Sequence, residues 1–340
     1  MPIVGLEHLV PNEMLVRDFE VDTENTFTKS FKQGQILFGR RRAYQQKAGV
    51  AQFDGICSGD ITVIEAIPGK IEPNLLPFIV QNEQFFEHAI QGSAGSLSPR
   101  VKWEHLASYE IELPTMEKQR VLADKLWTAY RLKESYKKLL AATDEMVKSQ
   151  FIEMFKDCPI VKLEDNIKTQ SGGTPNTKKQ EYYNGGDIPW LSSGEVNQGY
   201  IFSTEKFITQ AGLDNSSAKW VPKYSVLIAM YGATAGKVGF SMIPLTTNQA
   251  VCALLPCSSF NSLFLYYAVS QKTDWMISQC RGAAQPNISQ GIIRSMEIAK
   301  PPMEQQKQFV SIAEQADKSK FELRKSIEAI DAVIKSLINN

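Results

Sequence analysis

Arg40-Arg41-Arg42, with Tyr44, Gln45, Gln46 and Lys47 close behind, is the most basic stretch of the chain. A guanidinium is a fixed fork of donors that fits the O6/N7 edge of guanine. A glutamine amide fits the N6/N7 edge of adenine, and both groups also bind phosphate oxygens. The chemistry on offer is contact with a nucleic acid; a solvated turn is the alternative. Further along, Met230-Tyr231-Gly232-Ala233-Thr234-Ala235-Gly236-Lys237 is a glycine-spaced loop between two strand-like runs. Its small residues would let backbone approach phosphates, with Tyr231, Thr234 and Lys237 as donors. No G-K-[ST] follows, so it is not a nucleotide-cradling P-loop, and a plain hairpin is the other reading.

Other candidates are more dispersed. The small-polar loops GSAGSLSPR (92–100) and RGAAQPNIS (281–289) each lie shortly before a proline that opens a helix. Arg100, Lys102, Arg281, Gln285 and Asn287 could touch DNA there or cap the unit against that helix. Ser192, Ser193 and Glu195 follow the strand-like IPWL; Glu195 could accept from cytosine N4 or pair with a lysine. Thr174, Asn176, Lys178 and Lys179 form a polar loop that either reaches a phosphate backbone or is simply solvated. Asn248 and Gln249 begin an apolar run and read as structural.

The elements that must position these residues are duplicated. Two amphipathic stretches, LPTMEKQRVLADKLW… from Leu113 and KPPMEQQKQFVSIAE… from Lys300, align without a gap at a shift of 187 positions. Pro114 matches Pro301, Met116 matches Met303, Gln119 matches Gln306 and Asp144 matches Asp331. A period this long marks duplication of a whole domain with its helix rather than a solenoid repeat. In each stretch apolar residues step three and four: Leu122, Leu126, Ala129, Lys133, Tyr136, Leu140, Thr143 and Val147 in the first, and Phe309, Ala313, Ala316, Lys320, Leu323, Ile327, Ile330 and Ile334 in the second. That spacing predicts coiled-coil helices, each with a lysine at the same step of its seam. The helices either pair with one another, antiparallel, or pack separately on their own units. Strand-like runs fill the intervals: QILFG (35–39), DITVIEAI (60–67) and YEIELP (109–114) in the first unit, and SVLIAMYG (225–232), KVGFSMI (237–243) and QAVCALLP (249–256) in the second. Helices are expected at 75–90 and 262–271. The expected plan is two similar mixed α/β units, at 1–112 and 157–299, separated by long helices at 113–156 and 300–340. Residues 158–187 have no counterpart before Met1, so the first unit is expected to be short at its front.

Bulk properties narrow the classes. The chain has 340 residues, 43% hydrophobic, with 37 basic and 37 acidic side chains. Neutrality argues against a non-specific polyanion binder but is compatible with local basic loops. No apolar run approaches a membrane span and no secretory leader is evident, so a soluble cytoplasmic protein is expected. The five cysteines have irregular spacing and the three histidines do not cluster with them; reduced thiols and no metal site or cofactor are expected.

The ordered set SGGTPNTKKQEYYNGGDIPWLSSGEV, TNQAVCALLP, RGAAQPNIS and PPMEQQ, with its divergent partner GQILFGRRRAY, GICSGDI, GSAGSLSPR and LPTMEKQ, resembles the specificity subunit of type I restriction–modification systems over essentially the whole chain. The resemblance implies that each globular unit is a target-recognition domain reading half of a split double-stranded DNA site. It implies an antiparallel coiled coil between the domains, and two methyltransferase subunits docked alongside. S-adenosylmethionine-dependent adenine methylation and ATP-driven cleavage would then belong to methyltransferase and restriction subunits, and this chain would be non-catalytic. About thirty-five paired helical residues would measure off roughly 50 Å between half-sites. The residues themselves agree on catalysis: the nearest approach to the polar-Pro-Pro-aromatic motif of amino-methyltransferases is Lys300-Pro301-Pro302-Met303, and no H-E-x-x-H or G-x-S-x-G is present. A coiled-coil scaffold without DNA specificity, and an enzyme with an unrecognised centre, are the alternatives.

Overall fold

Apolar four-residue runs begin at Ile36 and at Val226, 190 positions apart, and each becomes the middle strand of a sheet. The computed structural model describes residues 1–21, 23–95, 97–280 and 287–339. It divides into one unit of Met1–Leu139 with Glu322–Asn340, and a second of Leu140–Phe321.

The first unit contains β1 (Ile3–Val4), β2 (Leu15–Val16), β3 (Lys29–Phe31), β4 (Ile36–Gly39), β5 (Ala48–Ala51), β6 (Gly55–Cys57), β7 (Ile61–Ile64), β8 (Ser93–Ala94) and β9 (Arg100–Val101). Its helices are α1 (Leu76–Val80), α2 (Glu83–Gln91), α3 (Trp103–Leu106) and the start of α4 (Met116–Phe155). The sheet order is β2-β5-β4-β7, with β4 antiparallel to both neighbours and β2 parallel to β5, beside a three-stranded sheet β1-β6-β3. All four residues of β4 and all four of β5 are buried, as expected of strands covered on both faces.

The second unit repeats this plan. It contains β10 (Ile160–Lys162), β11 (Thr169–Ser171), β12 (Ile188–Leu191), β13 (Tyr200–Ile201), β14 (Lys206–Ile208), β15 (Trp220–Val221), β16 (Val226–Ala229), β17 (Val238–Ser241), β18 (Leu245–Thr247), β19 (Val251–Leu254) and β20 (Glu297–Ala299). Between and after them come α5 (Gln210–Asp214), α6 (Ser262–Ser270), α7 (Thr273–Ser278), α8 (Gln290–Arg294) and α9 (Met303–Asn339). The order β11-β19-β16-β17-β13 again has a central strand antiparallel to both neighbours and a parallel outer strand. The pairs β1–β6 and β12–β18 are both parallel. Three-residue drift between the strand offset and the helix offset of 187 leaves the topology intact.

Two expectations are corrected. The 75–90 helix is broken: the Gln81 side chain donates to the Glu13 and Ala48 carbonyls, and Asn82 is extended, so α1 and α2 are separate. The 109–114 run forms no strand. Its counterpart β20 is held by β10, at Ile160↔Ala299 and Lys162↔Glu297, and Ile298 is 1% exposed where Ile111 is 40% exposed.

Both units contain a stretch of both long helices, running antiparallel. In the first, Leu122, Ala123 and Leu126 of α4 share a cluster with Ile334, Leu337 and Ile338 of α9 and with Phe78. The end of α9 therefore lies on the first unit, as antiparallel pairing requires. In the second, Val147, Phe151 and Phe155 meet Phe309, Ala313 and Ala316 around Phe264. The two seam lysines have one explanation: Lys133 bonds Asp331 at 2.5 Å, and Lys320 bonds Asp144 at 2.9 Å, the same contact made once in each unit. Of the seam residues, Leu126, Val147, Phe309, Ala313 and Ala316 are buried. Leu122, Tyr136, Leu140, Leu323, Ile327, Ile330 and Ile334 are half-buried. Two helices alone cannot enclose a seam; it is fully covered only where a globular unit adds a third layer.

Another matched pair explains the sequence signature at the helix starts. Buried Gln119 accepts from the Glu72 N–H and donates to the Pro114 carbonyl. Buried Gln306 accepts from the Asn261 N–H and donates to the Pro301 carbonyl. Each glutamine ties the first turn of its helix to the globular body.

Candidate nucleic-acid interface

The loop between β4 and β5 and the loop between β16 and β17 follow one backbone path. Arg42 and Gln46 have φ of 54° and 52°, and Gly232 and Gly236, each 190 positions later, have φ of 88° and 79°. The glycine spacing of the second loop thus serves left-handed turns that the first loop makes with an arginine and a glutamine. Such conformations cost about 1–2 kcal/mol for a residue with a Cβ. The closing bonds also match: Gly39 N–H to Lys47 carbonyl at 2.8 Å and Ala229 N–H to Lys237 carbonyl at 3.0 Å.

A second loop braces each hairpin. Arg41 bridges to Arg100, and Tyr231 bridges to Asn287. The Val101 N–H donates to the Arg40 carbonyl at 3.0 Å, and the Ile288 N–H donates to the Met230 carbonyl at 2.7 Å. Two segments far apart in sequence therefore form one surface in each unit. Arg281 and Gln285 lie outside the described residues.

On the first unit this surface is cationic. Arg40, Arg41 and Arg42 are half-buried at the hairpin, Tyr44 is exposed beside them, and Gln45 is half-buried. The Arg41 Nε donates to Ser98, and Arg100 pairs with Asp60 through Nε at 2.6 Å and Nη2 at 3.2 Å. The Arg100 hydrogen bond holds the Asp60 carboxyl below the usual carboxylate range, aided by the charges of Arg41 and Arg40. No ion pair holds Arg40 or Arg42 among the described residues. Lys47 turns inward, donating to the Leu6 carbonyl at 2.7 Å, and Lys102 is exposed ahead of α3. Asp60 and Ser98 escaped sequence reasoning. Only the pairing of distant loops reveals them, although an acidic residue opening a strand next to a basic hairpin was a signal to weigh.

The second unit presents a counterpart whose described residues are mainly hydroxyl- and amide-bearing, with one exposed lysine, Lys237. The Thr234 Oγ1 donates to the Ser193 carbonyl at 2.8 Å, which joins the 192–195 segment to the hairpin. Tyr231 and Lys237 are exposed on the hairpin, and Asn287 is exposed where it bridges to Tyr231. The Thr174 Oγ1 donates to the Gln249 side chain at 2.6 Å, while the Asn176 side-chain Oδ1 caps its own loop by accepting the Lys178 N–H. Glu195 faces inward. It is 3% exposed and accepts from the N–H and Oγ of Ser192 and from the Glu205 N–H. His8, 187 positions earlier, accepts the Gly5 N–H in the same way. Glu195 thus stabilises the turn that carries Ser192 and Ser193, and no lysine pairs with it among the described residues.

No group of three or more His, Cys, Asp or Glu side chains among the described residues is arranged to hold a metal ion. The five cysteines are free, and burial pushes the Cys57 thiol up to about 11 and Cys252 up to about 12. No helix among the described residues is long and apolar enough to cross a membrane.

Duplicated α/β units, each with one braced hairpin of matched geometry and different side chains, define a tandem two-domain architecture. Residues 13–142 and 156–331 both match the family model described as the type I restriction modification DNA specificity domain, and the chain belongs to that family. A relative, the type I restriction enzyme MjaIX specificity subunit of Methanocaldococcus jannaschii, is 29% identical over 190 residues, covering 54% of this chain and 44% of the relative. The chain spans less than half the length of the curated relatives it matches. Two solved structures share the fold. One is a chain from work on complex assembly and conformational transition of the type I R-M system, with TM-score 0.62 and 15% identity over 99% of this chain and 90% of that one. The other is the type I restriction–modification S subunit from M. genitalium, with TM-score 0.54 and 14% identity over 98% and 89%.

Proposed function

We propose that this chain is the sequence-specific DNA-binding subunit of a type I restriction–modification complex. It recognises a bipartite double-stranded site and directs adenine methylation and restriction, which partner subunits perform in the cytoplasm. In this reading residues 1–112 and 157–299 are two target-recognition domains, and the helices at 113–156 and 300–340 set the spacer between half-sites. Two methyltransferase subunits and, in the full complex, restriction subunits supply the chemistry; the chain itself is non-catalytic.

The observation that carries this reading is the matched pair of hairpins. One scaffold is built twice, and the side chains it displays differ: Arg40, Arg41, Arg42 and Arg100 on one, Tyr231, Thr234, Lys237 and Asn287 on the other. A structural device repeated for stability would keep its side chains, whereas a device for reading two different half-sites would change them. Donors of these types suit base edges and phosphates. Overall neutrality fits a subunit whose partners share the phosphate binding.

The test is selection from a pool of duplexes with randomised positions, using the full chain with its methyltransferase partner. Two short specific blocks at a fixed separation are expected. Absence of any enriched motif, or DNA affinity indifferent to salt, would favour a scaffold without DNA specificity.

A further inference from the structure

Asp60 is the one acidic side chain paired with the arginines of the first hairpin surface among the described residues. It immediately precedes β7 and is 17% exposed. Its carboxylate accepts from Arg100 Nε and Nη2, and Arg41 Nη1 lies 3.6 Å from it. Its backbone carbonyl accepts the Arg40 N–H at 2.9 Å. One residue therefore touches three of the four arginines on this surface.

The second unit shows what the fold itself requires at this place. Ala250, 190 positions after Asp60, accepts the Met230 N–H at 2.8 Å through its carbonyl, just as Asp60 does for Arg40. Asn287 stands where Arg100 stands and makes the same bridge to the hairpin. The backbone frame is thus complete with an alanine and an asparagine. The carboxylate of Asp60 serves the arginine side chains rather than the fold.

Resting on the DNA-reading role above, we infer that Asp60 is a specificity-determining positioning residue of the first unit. It grips Arg100 by the Nε–Nη2 edge. Of five N–H donors, the two on Nη1 and one on Nη2 stay available, forming a fork of fixed direction that suits a guanine edge. It also removes one positive charge from a cluster of four, which limits binding to any phosphate backbone. Discrimination rises and indiscriminate attraction falls by the same contact.

The test uses the full chain with its methyltransferase partner, as wild type, Asp60→Asn and Asp60→Ala, with the randomised duplex pool and a salt titration on a duplex lacking the selected motif. In both variants, base preference at one half-site should fall about tenfold and the other half-site should be unchanged. Affinity for the non-specific duplex should rise, with its logarithmic salt slope steeper by about 0.9. A merely structural loss would weaken both measures together. The inference is overturned if both variants keep the wild-type preference, or if both half-sites lose preference equally. If the wild-type complex selects no split motif, the DNA-reading role fails and this inference with it; a wild-type motif with unaffected variants sinks the inference alone.

Discussion

Replacing Gln306 by leucine should destabilise the second unit by about 3 kcal/mol, although the two side chains are similar in size. Gln306 is 1% exposed. Its Oε1 accepts the Asn261 N–H at 2.8 Å, and its Nε2 donates to the Pro301 carbonyl at 2.9 Å and the Ser259 carbonyl at 3.3 Å. Leucine leaves one donor and two acceptors without partners, each costing roughly 1–3 kcal/mol when buried, and gains about 1 kcal/mol in apolar transfer. Asn261 is also the N-cap of α6, its side chain accepting from Leu263 and Phe264, so its displacement frays that helix as well. Gln119→Leu strands only the Glu72 N–H and the Pro114 carbonyl, and about 2 kcal/mol is expected in the first unit. The sites share no partner, so the losses should add. Native-state hydrogen exchange, resolved by segment, separates the units. A loss below about 0.5 kcal/mol in Gln306→Leu would refute the tether, as would a loss appearing first in the sheet of the other unit.

Phe309→Ala removes a side chain that is fully buried against Phe151, Phe155, Phe264 and Tyr267, and should cost about 3–5 kcal/mol by denaturant titration. Arg41→Ala should weaken selection at one half-site and leave the other's base preference intact, read by pool selection. Burial pushes the Glu134 carboxyl up, but the hydrogen bond from Arg17 and the ion pair with Lys137 outweigh it and hold it below the usual range. Its contribution is therefore complete above the unfolded value of about 4 and is lost as pH falls through the folded one. Glu134→Gln should be less stable than wild type at neutral pH, and the difference should close below about pH 4 in acid-unfolding curves.

Much of the architecture was legible because duplication leaves paired marks. The matched Gln119 and Gln306 mark residues that each unit needs for the same buried bonds, and matched lysine–aspartate positions became Lys133–Asp331 and Lys320–Asp144. Runs such as SVLIAMYG and QAVCALLP became β16 and β19 because strands buried on both faces are apolar throughout. What sequence hid was long-range: Gln81 breaks a periodic helix by reaching for the Glu13 and Ala48 carbonyls, and 109–114 lacks the partner strand that makes its counterpart a strand. At the interface the basic hairpin was visible as a charge run. Its brace by the 98–101 segment, the organising carboxylate of Asp60 and the inward turn of Glu195 depend on contacts between distant residues, which no local pattern encodes.

If this chain chooses where adenines are methylated, as proposed, the methylation pattern of its host depends on it. Genome-wide mapping of methylated adenine, with and without the gene in its own host, tests it most directly. A split motif, two short blocks at fixed spacing, should be fully methylated with the gene and lose methylation without it. An unchanged set of methylated motifs after deletion would contradict the account.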